Sequence, residues 1–97
     1  MLTFALIRQW AAARNLIEGS TPDRQLVKLA EEMQELADAL DHDNHEEYID
    51  AIGDCVVVLT IMAAQRGLNI EDCIGAAYEQ IKDRKGRMVD GIFVKEE

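Results

Sequence analysis

The segment from Ile49 to Ala64, IDAIGDCVVVLTIMAA, constrains the fold more than any other part of the chain. Its last ten residues are apolar except for Thr60, which predicts a helix that packs in a core. Its first turns carry Asp50 and Asp54, and a spacing of four residues places both carboxylates on one helix face. Because like charges beside an apolar core are costly unless something compensates them, we expect a cation or hydrogen-bond donors near Asp54.

The composition predicts a single helical domain over residues 1–97. The chain is 48% hydrophobic and 5% aromatic with one proline, which favours an all-α bundle over a β-sandwich. Its net charge of −9 argues against nucleic acid or an anionic membrane as a general partner. The two cysteines form no CxxC pair and are expected to be reduced, and no signal peptide or membrane span is expected. These features predict a cytoplasmic protein.

Hydrophobic periodicity and capping residues divide the chain into four predicted helices. The predicted helix boundaries lie at Gly19, Pro22, Gly67 and Gly86. The predicted ranges are Leu2–Glu18, Pro22 to about Leu40, a third helix that carries the apolar segment and ends near Arg66, and Ile70 to about Lys85. The tail from Arg87 to Glu97 is extended in character. Short connections between helices predict a four-helix bundle.

Acidic residues interrupt the apolar stripes of the second and third helices. Glu32 and Glu35 are three residues apart, Glu31 and Glu35 are four apart, and Asp50 and Asp54 occupy one face of the next helix. If the two helices are antiparallel neighbours, their carboxylates converge, and an all-oxygen site suits Mg²⁺ or Mn²⁺. The alternative is that each acid lies on a solvated face, but this does not suit Asp54, which lies within the apolar pattern.

These motifs resemble those of the MazG-like nucleoside triphosphate pyrophosphohydrolases, in the all-α NTP pyrophosphatase superfamily. Lys28–Leu36 contains the EExxE signature, and Asp50–Asp54 stands where the family has ExxD. The resemblance covers about Gln25 to Arg87 and is greatest to the short, single-domain members of phages and mobile elements. It implies a four-helix bundle-like MazG fold with a short extended C-terminal tail, assembled as a homodimer or homotetramer.

The resemblance also implies the metal ligands. Glu32, Glu35 and Asp54 match family positions that bind Mg²⁺, with Mn²⁺ as a substitute. The glutamate of ExxD falls on Ala51, so Asp50 is the available replacement and reaches the metal directly or through water. A one-residue shift turns a side chain by about 100° around the helix, which makes this fourth ligand the least certain match.

The implied reaction is the Mg²⁺-dependent hydrolysis of NTPs or dNTPs to a nucleoside monophosphate and pyrophosphate, a housecleaning of the nucleotide pool. Water attacks the α-phosphorus while the metal neutralises the phosphates. Glu31 or Glu35 is expected to position that water or accept its proton. Two alternatives are a phosphoribosyl-ATP pyrophosphatase-like enzyme and a non-catalytic helical adaptor that binds metal. The first is disfavoured because the run after Asp54 lacks the Tyr-His associated with that enzyme.

Cations and one aromatic residue are candidates for holding the substrate. Lys28 lies one turn before the acidic motif, and a dense basic run follows the fourth helix. By resemblance this run approaches the phosphates, supplied by a neighbouring subunit; alternatively it complements a helix C-terminus. Trp10 either stacks on the base or packs in a core or interface. The complete candidate set for substrate binding is Lys28, Lys82, Arg84, Lys85, Arg87, Gln25 and Trp10.

Overall fold

The computed structural model describes residues 2–96 and is all-α apart from a small C-terminal strand pair. The all-α prediction is therefore confirmed. The elements are α1 (Thr3–Ala13), α2 (Pro22–Asp41), α3 (His45–Gln65), α4 (Ile70–Ile81), β1 (Gly86–Val89) and β2 (Ile92–Lys95). Within this described range, no helix is both long and apolar enough to cross a bilayer.

Side-chain caps determine where the two long helices begin. The Thr21 hydroxyl accepts a hydrogen bond from the Arg24 backbone N–H at 3.2 Å, and Pro22 follows it as the first residue of α2. The Asn44 side-chain oxygen accepts from the Glu47 N–H at 3.1 Å and begins α3. These two caps fix the residues at which α2 and α3 begin.

Helix α1 is shorter than predicted. It ends at Ala13 because Asn15 adopts a left-handed conformation, with φ of 59°. The Leu16 N–H then bonds to the Ala11 carbonyl at 3.0 Å, in the manner of a Schellman turn. The prediction that Gly19 terminates this helix was wrong, since an asparagine performs that task earlier in the chain.

Helix α4 also ends early, at Ile81, and the tail folds back as an antiparallel hairpin. Asp90 and Gly91 have φ values of 51° and 81°, which are those of a type I′ turn between two strands. Gly86 pairs with Lys95 in β1 rather than closing α4. The extended tail was predicted, but its Asp-Gly turn signal was not recognised.

Helices α2 and α3 form an antiparallel pair that carries the core. The buried residues are small or β-branched, among them Ala39, Ala51, Val58 and Ile61. Helix α1 packs on α3, where it buries Ala11, and the first turn of α4 packs on α3 through Ile70. Beyond that turn α4 is exposed, and β1 and β2 pack on each other without an extensive contact to any helix of the described chain.

Candidate functional site

Three carboxylates from α2 and α3 converge at the middle of the helix pair. Glu32 and Glu35 come from α2 and Asp54 from α3, and one oxygen of each lies within 4.8 Å of the others. The convergence follows from the sequence, because Glu32 lies on the face of α2 that contacts α3 and Glu35 lies one turn later. These are the three residues that the motif resemblance implied as metal ligands.

Glu32 is the buried member of this acidic cluster. Only 6% of the residue is exposed, and its Oε2 atom has no hydrogen-bond partner. Its Oε1 atom lies 3.3 Å from the Lys28 ammonium nitrogen, which also lies 3.4 Å from Glu31. Asp54, which lies within the apolar pattern of the sequence, is exposed, whereas Glu32 points into the helix interface. Lys28 is the cation expected nearby.

The acids of the cluster raise one another's pKa values. The Glu32 carboxyl, through hydrogen bonding and charge repulsion, raises the pKa of Glu35 above its ordinary value. Desolvation raises the pKa of Asp54, and repulsion from Glu32 and Asp50 adds to this shift. Lys28 opposes both shifts, and its own pKa is raised by Glu32 and Glu31. The cluster therefore carries more negative charge than Lys28 balances.

The residues present fit a divalent cation. Three carboxylate oxygens lie close enough to share one ion, and the unpartnered Oε2 of Glu32 is a buried acceptor that an ion would satisfy. Hard oxygen ligands of this kind are those preferred by Mg²⁺, with Mn²⁺ as a close substitute. The donor set contains no sulfur or nitrogen, which disfavours a structural zinc site.

Asp50 lies beside the cluster rather than within it. It lines a groove of about 430 Å³ with Glu35 and Asp54, into which Asp38, His42 and Glu47 also face. Ala51, where the family motif has its glutamate, is 3% exposed and shares the α2-facing side of α3 with Asp54. Asp50 is turned about 100° from Ala51 but only about 40° from Asp54, so it lies at the edge of that side. This position supports an indirect role, through water or a second ion.

A pocket of about 370 Å³ adjoins the cluster on the side where α1 packs. Lys28, Glu32 and Asp54 form its polar wall, and the candidates Trp10 and Gln25 line it together with Leu16, Val57, Val58 and Ile61. Sequence reasoning missed Val57, although it follows Asp54 by three residues and therefore shares its side of the helix. The pocket therefore has both an apolar wall and a wall formed by residues of the acidic cluster.

Two pocket residues are held by neighbouring side chains. The Gln25 amide nitrogen donates to the Ser20 hydroxyl at 3.1 Å, and Gln25 is only 8% exposed. The Arg14 guanidinium lies 4.5 Å from the centre of the Trp10 ring and covers one of its faces. Trp10 is also 45% exposed, so its ring forms a rim of the pocket rather than part of a closed core.

The basic run lies away from the acidic cluster within one chain. Lys82 pairs with Glu79 on its own helix at 2.7 Å, and Arg87 lines a pocket formed by the hairpin. Neither Arg84 nor Lys85 lines the acidic groove or the pocket beside it. That these residues bind substrate phosphates in the site of a neighbouring copy therefore stays a prediction.

Comparisons with known proteins agree with the motif resemblance. The family described as MazG nucleotide pyrophosphohydrolase domain matches residues 20–89. A protein of Haemophilus phage HP1 (strain HP1c1), described as an uncharacterized 18.2 kDa protein in the rep-hol intergenic region, is 44% identical over 63 residues. That match covers 65% of this chain and 39% of the phage protein, so the similarity spans about two fifths of the relative. No solved structure matches the chain.

Proposed function

Because this chain belongs to the MazG nucleotide pyrophosphohydrolase family, we propose that it hydrolyses NTPs or dNTPs to a nucleoside monophosphate and pyrophosphate. The observation that carries the proposal is the convergence of Glu32, Glu35 and Asp54 beside a pocket that contains Lys28 and Trp10. We place the activity in the cytoplasm, as a housecleaning reaction of the nucleotide pool.

The acidic cluster is proposed to hold Mg²⁺ through Glu32, Glu35 and Asp54, with Asp50 in support from the adjoining groove. When bound, the ion supplies positive charge to the phosphate oxygens and makes the attacking water more acidic. With Glu32 engaged as a ligand, the Lys28 ammonium becomes free to bind a phosphate oxygen instead of the carboxylate it now contacts.

In the proposed reaction, the oxygen of water bonds to the α-phosphorus and the bond from that phosphorus to the pyrophosphate oxygen breaks. The proton of the water passes to a carboxylate, for which Glu31 and Glu35 are the candidates. Glu31 is exposed and contacts Lys28 at the edge of the cluster, which leaves it accessible for this role. Glu35 is the alternative because its carboxylate lies in the acidic cluster, within 4.8 Å of those of Glu32 and Asp54.

The pocket beside the cluster is proposed to hold the base and sugar. The free face of Trp10 stacks on the base, the Gln25 amide bonds to base or sugar, and Val57 supplies apolar contact. The basic residues Lys82, Arg84, Lys85 and Arg87 are proposed to meet the phosphates of a neighbouring subunit's substrate. This part of the proposal requires a homo-oligomer.

The decisive experiment is a pyrophosphate-release assay with the eight common NTPs and dNTPs and Mg²⁺, with phosphoribosyl-ATP as a ninth substrate. We expect hydrolysis of at least one nucleotide, and Glu32→Gln, Glu35→Gln and Asp54→Asn each to reduce turnover about 100-fold or more, in line with the loss of an electrostatic contact of ~3–4 kcal/mol. Glu18→Gln, an exposed acid outside the cluster, is the matched control and should retain full turnover.

The panel separates the proposed activity from its alternatives. Hydrolysis of phosphoribosyl-ATP alone would identify the related enzyme of that specificity. Absence of pyrophosphate from all nine compounds, in protein whose circular dichroism shows a folded helical chain, would overturn the proposal and favour a metal-binding adaptor.

A further inference from the structure

The connection between α1 and α2, residues 14–21, borders the pocket beside the acidic cluster. Helices α1 and α2 both pack on α3 but, within the described chain, make no extensive contact with each other, which leaves room for the pocket between them. The connection contributes Leu16 to the apolar wall of the pocket. The contacts that hold this connection therefore also determine the shape of the pocket.

The backbone of Leu16 is held by two different helices. Its N–H donates to the Ala11 carbonyl of α1 at 3.0 Å, and its carbonyl accepts from the Gln65 side-chain amide at 3.1 Å. The first bond belongs to the turn that ends α1. The second bond joins residues 49 positions apart and reaches the last residue of α3. With both of its backbone polar groups bonded, Leu16 has a fixed backbone from which its side chain enters the pocket.

Helix spacing places Gln65 on the side of α3 that forms the pocket. Asp54, Val58 and Ile61 line the pocket at spacings of four and three residues, and Gln65 follows Ile61 by four. Gln65 lies one turn beyond the pocket and does not line it. An effect of Gln65 on the pocket must therefore pass through Leu16.

The orientation of the Gln65 amide has an energetic cost. Only the amide nitrogen can donate to a carbonyl, so the bond to Leu16 determines which way the amide points. The other amide atom, Oε1, is then buried without a hydrogen-bond partner among the described residues. A buried, unpaired acceptor is destabilising, and an apolar side chain of the same length would avoid it. Stability alone therefore does not explain a glutamine at this position.

We propose that Gln65 is a positioning residue for nucleotide binding: its amide holds the Leu16 carbonyl and thereby places the Leu16 side chain against the base or sugar. The inference rests on the proposed function, because that proposal assigns the pocket to the base and sugar. The contact involves the apolar wall and not the acidic cluster. Loss of the Gln65 bond should therefore weaken the binding of a nucleotide but not that of pyrophosphate, which has neither base nor sugar.

The test is a double-mutant cycle between Gln65 and Leu16, measured by titration calorimetry with Mg²⁺ present. The probes are pyrophosphate and the α,β-imido analogues of the eight common NTPs and dNTPs, which are not cleaved between the α- and β-phosphorus. Gln65→Met keeps the length and helix propensity of the side chain and removes its donor. Leu16→Ala removes most of the apolar contact.

We expect each single variant to raise the Kd of the bound analogue about 10-fold, the size of effect that a small apolar group has in a binding pocket. The double variant should raise the Kd no further than the larger single effect, because both changes remove the same contact. The Kd of pyrophosphate should stay within about 2-fold in all variants. The melting temperature of Gln65→Met should equal or exceed that of the wild type, since the unpaired oxygen is lost together with the bond.

Gln80→Met is the matched control, because Gln80 is an exposed glutamine of α4 that lines neither the pocket nor the acidic groove. It should bind both probes as the wild type does. The inference would be overturned by an unchanged analogue Kd in Gln65→Met, by single effects that add in the double variant, or by an equal rise in the Kd of pyrophosphate. If Gln65→Met does not fold, Gln65→Leu takes its place, and loss of folding in both would assign Gln65 a purely structural role and overturn the inference. A wild type that binds no analogue would instead overturn the proposed function, and this inference with it.

Discussion

Glu32 is the residue at which burial and charge conflict most directly. Its carboxylate lies at the helix interface with one oxygen unpartnered, while Glu35 and Asp54 add negative charge within a few ångströms. Lys28 balances only part of that charge, from a partly exposed position. We expect such a cluster to destabilise the chain without metal, and we expect a divalent ion that binds the folded state to offset that loss of stability.

The Glu35→Gln variant tests this conflict. We expect the melting temperature of the metal-free protein at pH 7 to rise by a few degrees, because one of the repelling charges is lost, and the stabilisation by Mg²⁺ to disappear. The measurement is thermal unfolding by circular dichroism, first without Mg²⁺ and then at Mg²⁺ concentrations that increase in 10-fold steps. Glu18→Gln removes the same charge elsewhere and should behave as wild type; an unchanged Mg²⁺ response in Glu35→Gln would contradict the proposed ligand set.

The pH dependence of metal-free stability provides a second test of the same cluster. The pKa values of Glu35 and Asp54 are raised, so the folded state holds protons that the unfolded state has already released. Stability from these groups therefore falls as pH rises from the ordinary carboxyl values, about 4, through the raised values. We expect melting temperatures to fall over this window, less so in Glu35→Gln. Equal slopes in the two proteins would assign the fall to other groups.

At the scale of elements, α1 is joined to α4 by one bidentate ion pair. The Arg8 guanidinium donates to both Glu71 carboxylate oxygens, with the Nη2–Oε2 contact at 2.9 Å. Hydrogen bonding to Arg8 lowers the pKa of Glu71 to about 2. The stabilisation is thus complete above the ordinary pKa of about 4.5 and is lost as pH falls from there towards 2.

Glu71→Gln is expected to lower the melting temperature by up to a few degrees at low salt, and by less in 1 M NaCl, because salt screens an exposed pair. Asp72→Asn is a close control, since Asp72 also lies in the first turn of α4 but is not hydrogen-bonded to Arg8. Thermal melts at several salt concentrations measure the difference. Equal losses in both variants would indicate that only the helix dipole is involved.

Element types and the three converging acids were predictable from the sequence because both depend on local spacing. Capping at Thr21 and Asn44 sets where α2 and α3 begin, and acids three or four residues apart must share a face. The identity of the buried acid was not predictable, because the way in which the two helices cross decides that Glu32 is buried and Asp54 is exposed. The early end of α1 at Asn15 depended on a left-handed asparagine that hydropathy does not detect.

At the scale of the whole molecule, many large apolar side chains are exposed. The outer half of α4 shows this clearly: Ile70 is buried, whereas Ile74 and Ile81 on the same apolar stripe are about half exposed. The hairpin strands are exposed throughout, and an isolated two-stranded hairpin is marginally stable in water. Much of the free energy of folding is therefore expected to come from association.

A concentration-dependent melting temperature follows from this dependence on association. We expect the wild-type melting temperature to rise by several degrees between about 2 and 200 μM protein, because mass action favours the assembled folded state. Differential scanning calorimetry over that range measures the shift. Met33→Glu, which places a charge on an apolar residue of α2 that is exposed in the single chain, should melt at a lower temperature that does not change with concentration. A concentration-independent wild type would show that the single chain is stable alone.

On α2, a charged residue, a residue that faces α3 and an exposed apolar residue follow one another directly, as Glu31, Glu32 and Met33 do. This order limits where insertions can occur in the chain during evolution. Charged, helix-facing and apolar positions succeed one another along the helix, so inserting a single residue turns every later side chain by about 100°. Such an insertion before Glu32 would turn Glu32 away from α3, to the side that Met33 now occupies, and is expected to disrupt the candidate site. Relatives should therefore vary in length in the connections at residues 14–21, 42–44 and 66–69, and keep α2 and α3 free of gaps.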